Sequence, residues 1–228
     1  MATNEPAGPR MFSVLFMGLI CLILGAVLGV VSLITQPVTE LTKAPEEGSM
    51  EPGEIYVVKG QRTGGTNWRQ KEDALQSGAL AQITLSESDL NRWSSSRLKG
   101  PKIPGKDDDV AWKEKLQLYP GNVNFNILED AIQVSVEVEF GGYLKDKTIL
   151  CTVIGKFDST PNGVVFVPTS ASIGQAPVGV VSEAGEFFLD YVSKRFGEDE
   201  GLAWVPIALE ELESIEVVDE QLVLKRRV

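Results

Sequence analysis

The stretch NVNFNILEDAIQVSVEVEF, residues 122–140, decides the fold class. Asn122-Val123-Asn124-Phe125-Asn126-Ile127 alternates polar and apolar side chains, and Ile132 to Phe140 repeats the alternation over nine residues. A period of two puts every second side chain on one sheet face, so each run reads as a half-buried strand. Glu129-Asp130 between them supplies turn residues, and the pair reads as an antiparallel hairpin.

The pattern continues toward the C-terminus. Gly141-Gly142 leads toward a third strand within Thr148 to Asp158, and Pro161-Asn162-Gly163 leads into a fourth from Val164 to about Ile173. Ile149, Cys151, Val153 and Phe157 lie on one side of the third strand, Leu150 and Ile154 on the other, so it is expected to be a central strand covered on both faces. A helix from about Val180 to Phe196, with Val181, Ala184, Phe188, Tyr191 and Phe187 as its apolar stripe, would supply the cover. A helical turn at Ile207 to Leu212 and a hairpin, Ser214 to Val218 with Gln221 to Arg226 turned at Asp219-Glu220, close the chain.

Upstream, Glu54 to Lys59 reads as a short strand, Gly60 to Gly65 as a turn, and Asn67 to Gln76 as a helix stopped at Gly78. At Ile83 to Trp93 strand chemistry gives way to helix chemistry. Ser86 is placed to cap the helix, with Asp89 three residues on completing a capping box. Leu90, Trp93 and Leu98 would face inward. The folded part is therefore α+β, a mostly antiparallel curved sheet packed against one long and several short helices, with one core.

Ahead of it, Met11 to Ile34 contains no charged residue. At about 1.5 Å per residue such a helix can cross a hydrocarbon layer of roughly 30 Å. A signal peptide has a shorter apolar core and a small-residue cleavage site, and Thr35 to Thr39 offers no such site. The expected organisation is a short cytoplasmic tail over 1–10, a transmembrane helix over 11–35, a flexible stalk over 36–53 and an extracytoplasmic domain over 54–228. Arg10 before the span and the acidic residues after it set the N-terminus inside, with the domain periplasmic or external. Gly25 and Gly29 form a GxxxG, with Gly18 and Ser32 on nearly the same face. That stripe allows close contact with a second helix, in a homodimer or with a membrane-protein partner.

Several kinds of chemistry are disfavoured. The formal net charge of −11 opposes nucleic acid, leaving only Lys225-Arg226-Arg227 as a basic patch. GPKIPGKDDD, 100–109, has the spacing of a phosphate-binding loop. However, it follows a helix, loses two N–H donors at Pro101 and Pro104, and puts Asp107 where a hydroxyl should hold magnesium. No nucleotide, metal or other cofactor is expected. The chain has no histidine, which removes the commonest general base and most zinc sites. Glu137 and Glu139 share a strand face but sit on its polar side, where solvated acids are expected, and Ser193-Lys194 lacks a supporting glycine elbow. The chain is read as a non-enzyme. Cys21 is in the span and Cys151 in a strand, so the outer domain has no internal disulfide, and Cys151 reads as buried and inert.

The order of these signals resembles the YpmS-type bacterial single-pass membrane proteins: one N-terminal anchor, then "ITLSESDLNRW", "NFNILEDAIQVSVEVEF" and "GVVFVPTSASIGQAPVG". The resemblance spans roughly residues 80–228. It implies a tubular-lipid-binding-like ectodomain whose sheet wraps a helix around an apolar groove, with membrane lipid as partner. The implied groove lining is Val136, Val138, Phe140, Val153, Phe157, Phe187, Phe188 and Tyr191. The same residues would equally form a closed core. Two functions stand: a domain that binds or senses a lipid or other apolar ligand, and an accessory subunit docking on a larger membrane or envelope complex.

Overall fold

The structure is a computed structural model that describes residues 11–36, 38–41, 51, 55–61, 64, 67–98, 118–140, 148–178, 202 and 204–227. The expected helix over 180–196, the loop over 100–109 and the Gly141-Gly142 turn lie outside the described residues.

Among the described residues, four helices and mostly antiparallel strands make the architecture α+β. The uncharged run forms α1, Met11–Thr35, the one described helix long and apolar enough to cross a membrane. Next come β1 (Thr39–Leu41) and β2 (Tyr56–Val58), which pair in parallel. Helix α2 (Trp68–Ser77) ends at Gly78, whose left-handed backbone (φ 66°) closes the last turn. Strand β3 (Gln82–Ser86) runs straight into α3 (Glu87–Arg97). The capping box forms as the sequence implies. Ser86 Oγ accepts from the Asp89 N–H at 3.2 Å, and the Asp89 carboxylate accepts from the Ser86 N–H at 3.0 Å.

The five-stranded sheet follows in chain order: β4 (Leu118–Ile127), β5 (Ile132–Phe140), β6 (Thr148–Thr160), β7 (Gly163–Ile173) and β8 (Ala176–Val178). Each pairs antiparallel with its neighbour, and β6 is the middle strand. Gly174 and Gln175 turn β7 back into β8, a strand the alternation did not announce because it is only three residues long. Helix α4 (Trp204–Glu210) precedes β9 (Leu212–Val218) and β10 (Gln221–Arg226). Asp219 and Glu220 both take positive φ, the backbone of a tight hairpin turn. The hairpin recruits β3, from more than a hundred residues earlier, giving a second sheet of order β3-β10-β9.

Three expectations change. The expected single core is two buried clusters. One joins Ile127, Ile132 and Val164 to Leu212, Ile215, Leu222 and Leu224, and the other comprises Val123, Val136, Val138, Ile149 and Cys151. Phe125 packs against both.

The stretch read as a stalk is partly ordered. Thr39–Leu41 pairs with β2, and the Lys59 N–H donates to Leu41 O at 2.8 Å, because β2 offers a free edge within reach of the end of α1.

The polar face of β5 is not solvated along its whole length either. Gln133 and Ser135 are 3% and 1% exposed, beneath residues 55–61. Gln133 Nε2 donates to Val58 O at 3.1 Å and Asn124 Oδ1 accepts from the Gly60 N–H at 2.8 Å. These polar side chains are buried because they satisfy the backbone of the segment crossing over them.

Candidate functional site: an apolar cavity between helices and sheets

Helix α3 carries two working faces. Glu87, Asn91 and Ser94, spaced four and three residues apart, line up on one side of it. Ile127 N–H donates to Glu87 Oε2 at 3.1 Å. Phe125 N–H donates to Asn91 Oδ1 at 2.7 Å, and Asn91 Nδ2 returns a bond to Phe125 O at 2.8 Å. Ser94 Oγ donates to Val123 O at 2.9 Å. The helix thereby closes the outer edge of β4 as another strand would.

Its other face, with Leu90 and Trp93, borders a cavity of about 300 Å³. Trp68 and Leu75 of α2, Trp204 and Leu209 of α4, and Phe125, Phe157, Leu222 and Leu224 of the sheets complete most of the wall. Phe157 meets Phe166 edge-on, with ring centroids 5.5 Å apart, which fixes its orientation.

The charged residues of this wall, Lys71, Glu72 and Asp89, are each matched. Glu72 is 5% exposed. It accepts from Arg97 Nε at 3.0 Å, from Arg97 Nη2 at 2.7 Å and from Trp93 Nε1 at 3.1 Å. Asp89 pairs with Lys71 Nζ at 2.6 Å. Burial alone would raise the Asp89 pKa, but the bonds from Lys71 and from the Ser86 N–H and hydroxyl outweigh it and hold the carboxyl below its ordinary value. What remains of the described wall is aromatic and aliphatic surface, with the buried Trp204 Nε1 as a donor that has no partner.

Of the residues expected to line a groove, Phe157 borders this cavity. Val136 and Val138 lie in the second buried cluster, and Val153 is buried on β6. Phe140 ends β5, but its side chain lies outside the described residues, as do Phe187, Phe188 and Tyr191. The cavity forms at the end of the sheet where α2, α3 and α4 meet the second sheet. The sequence held a signal for it: Trp68, Trp93 and Trp204 are three of the four tryptophans, the first two on short helices of otherwise largely polar composition and the third at the start of a short apolar one. Gly18, Gly25 and Gly29 lie on an exposed helix, and a Cβ at any of them would meet nothing within 4 Å. Cys151 is buried, and desolvation pushes its thiol up to about 12.

At the other end of the sheet α1 meets the domain. The Gln175 N–H donates to Leu33 O at 3.0 Å, and Ile34 packs against the second cluster. The Gln175 side chain meanwhile donates from Nε2 to Ile55 O at 3.3 Å.

The chain matches no protein-family model and no curated protein.

Proposed function

We propose that this chain is a membrane-anchored, non-enzymatic domain that binds an apolar ligand, a lipid or a molecule with a lipid-like tail, in the cavity between α2, α3, α4 and the two sheets. The observation that carries the reading is a wall of tryptophan, phenylalanine and leucine around about 300 Å³, the small end of the roughly 300–1,000 Å³ range of ligand sites. Its charged residues each have a partner, Asp89 in Lys71 and Glu72 in Arg97, which suits holding a ligand better than transforming one. The resemblance to YpmS-type proteins points the same way. In this reading the two sheets act as one curved wall and the helices close it.

Retention of α1 as an anchor belongs to the same proposal. Ile34 packs against the second buried cluster, and Leu33 O is bonded to Gln175. Cleavage after the apolar run would strip both contacts from the domain. The N-terminus is then cytoplasmic and the domain extracytoplasmic.

The test is native mass spectrometry of the full chain released from nanodiscs, followed by organic extraction. A near-stoichiometric adduct that disappears in Phe157→Asp supports the reading, while protein mass alone in the wild-type chain counts against it. The docking-subunit reading is favoured by a different feature, Val165 and Val167, which stand 45% and 38% exposed on the outer face of β7. If that reading holds, Val165→Glu with Val167→Glu releases a partner protein and leaves the adduct unchanged.

A further inference from the structure

We infer that the occupant of the cavity is a single-chain amphiphile taken up as a dispersed monomer, not an acyl chain still seated in the bilayer. The inference rests on the ligand-binding reading above and narrows it. Three observations lead to it.

The first is capacity. At about 300 Å³ the cavity lies at the small end of the roughly 300–1,000 Å³ of sites that enclose a drug-sized ligand, so it takes one slender molecule of that size. That is one chain of medium length. Both chains of a bilayer phospholipid, each reaching across about half of a roughly 30 Å hydrocarbon layer, would not fit.

The second is charge. Lys71 is held by Asp89, and Glu72 by Arg97 and Trp93, so among the described residues a charged headgroup inside would find no unmatched charge, only the one unbonded N–H of Trp204, too little to replace its hydration. The tail enters and the head stays at the rim.

The third is position. Ile34 at the end of α1 packs at the Val136 and Cys151 end of the five-stranded sheet, whereas Ile132 and Phe157 border the cavity at the opposite end. Six residues of β6 separate Cys151 from Phe157, about 20 Å at roughly 3.3 Å per residue. A bilayer chain rooted beside α1 would have to leave the hydrocarbon entirely to cover that distance.

The tryptophans provide the test, because Trp68, Trp93 and Trp204 all line the cavity. The full chain carrying Trp112→Phe is placed in nanodiscs of phosphatidylcholine with dibrominated or unbrominated chains, since bromine quenches indole at contact range. Emission is expected to be the same in both. Adding 11-bromoundecanoate at a monomeric concentration should then remove about half of the emission or more, since ligands in such sites are largely enclosed by their walls. Excess decanoate should restore it, and Ala208→Phe, which fills the cavity, should abolish the effect. The decanoate arm stands even if that variant does not fold. Quenching by the brominated bilayer would overturn the inference while leaving the ligand-binding reading intact. Quenching by the acid that decanoate does not relieve would mean partition into the disc and would also overturn it. No quenching from either source would sink both readings.

Discussion

Gln175 and Leu33 are joined by a backbone hydrogen bond of 3.0 Å, so the last turn of the apolar helix is tied to the β7–β8 turn. The residue before Gln175 makes the approach feasible. Gly174 has φ +56°, and a Cβ there would stand 2.3 Å from Ile34 O. Replacing Gly174 with alanine adds a left-handed strain and a collision, together about 1–3 kcal/mol. Denaturant unfolding of the full chain in nanodiscs should register that loss, and amide exchange at Gln175 should quicken. Unchanged exchange would mean that the joint is not held by this contact.

Arg97 and Glu72 differ in exposure, their side chains being 44% and 3% exposed, so the pair should respond asymmetrically to mutation. Arg97→Ala strands a carboxylate inside the domain. Breaking a fully buried pair costs about 3–5 kcal/mol, and the half-exposed arginine puts the expected loss somewhat below that. Glu72→Gln keeps an acceptor for Trp93 Nε1 and leaves the arginine free to reach water, so it should cost less than half as much. Equal losses in urea unfolding would contradict the burial argument.

Asn91→Ala removes the two bonds to Phe125 and leaves a backbone N–H and a C=O unpaired at the edge of β4. At about 1–3 kcal/mol for each orphaned group, the expected cost is about 2–6 kcal/mol. Asn91→Asp retains the acceptor for the Phe125 N–H and should fall between wild type and alanine. If Asn91→Ala is no worse than Ser95→Ala, a change on the exposed face of the same helix, the edge-closing role is wrong.

Much of this fold is legible in the residues themselves, and the places where it is not share a cause. Alternation at Ile132 to Phe140, the turn at Asp219-Glu220, the cap at Ser86 and the stop at Gly78 are local signals, each complete within a few residues. The pairing of β3 with β10 is not local. Nothing in QITLS names a partner that lies more than a hundred residues away. Gln133 and Asn124 mislead for a related reason, since alternation reports polarity and not exposure, and these buried side chains satisfy the backbone at Val58 and Gly60. The cavity was missed because periodicity places Val136, Val138 and Phe157 on one inner face without saying where the cover is thin. Only the convergence of Trp68, Trp93 and Trp204 locates it.

Acid should loosen the junction of α2 and α3 through Asp89. Its carboxyl is held below the ordinary range in the folded protein by Lys71 and Ser86 against the opposing effect of burial. A depressed folded-state pKa stabilises fully above the unfolded value, about 3.9, and that contribution disappears as pH falls through the folded value. Unfolding free energy measured from pH 6 downward should therefore decline below about pH 4. In Asp89→Asn this part of the decline should be absent, and an identical slope in wild type and variant would assign the acid sensitivity elsewhere.

Cys151 offers a clock for opening of the sheet. It is 4% exposed near the start of β6, and with its thiol pushed up to about 12 almost none of it is thiolate at pH 8. The thiolate is the nucleophile, so both access and ionisation oppose reaction with a water-soluble disulfide reagent. Native chain should leave Cys151 unmodified over hours, and denaturant should expose it with an amplitude that follows unfolding. If its labelling rate rises with denaturant only as the global transition is approached, β6 opens with the whole domain, as expected for the middle strand of the larger sheet. Rapid labelling in native buffer would instead require β6 to part from β5 or β7 locally, and the cluster of Val136, Val138 and Ile149 around it could not then be a stable core.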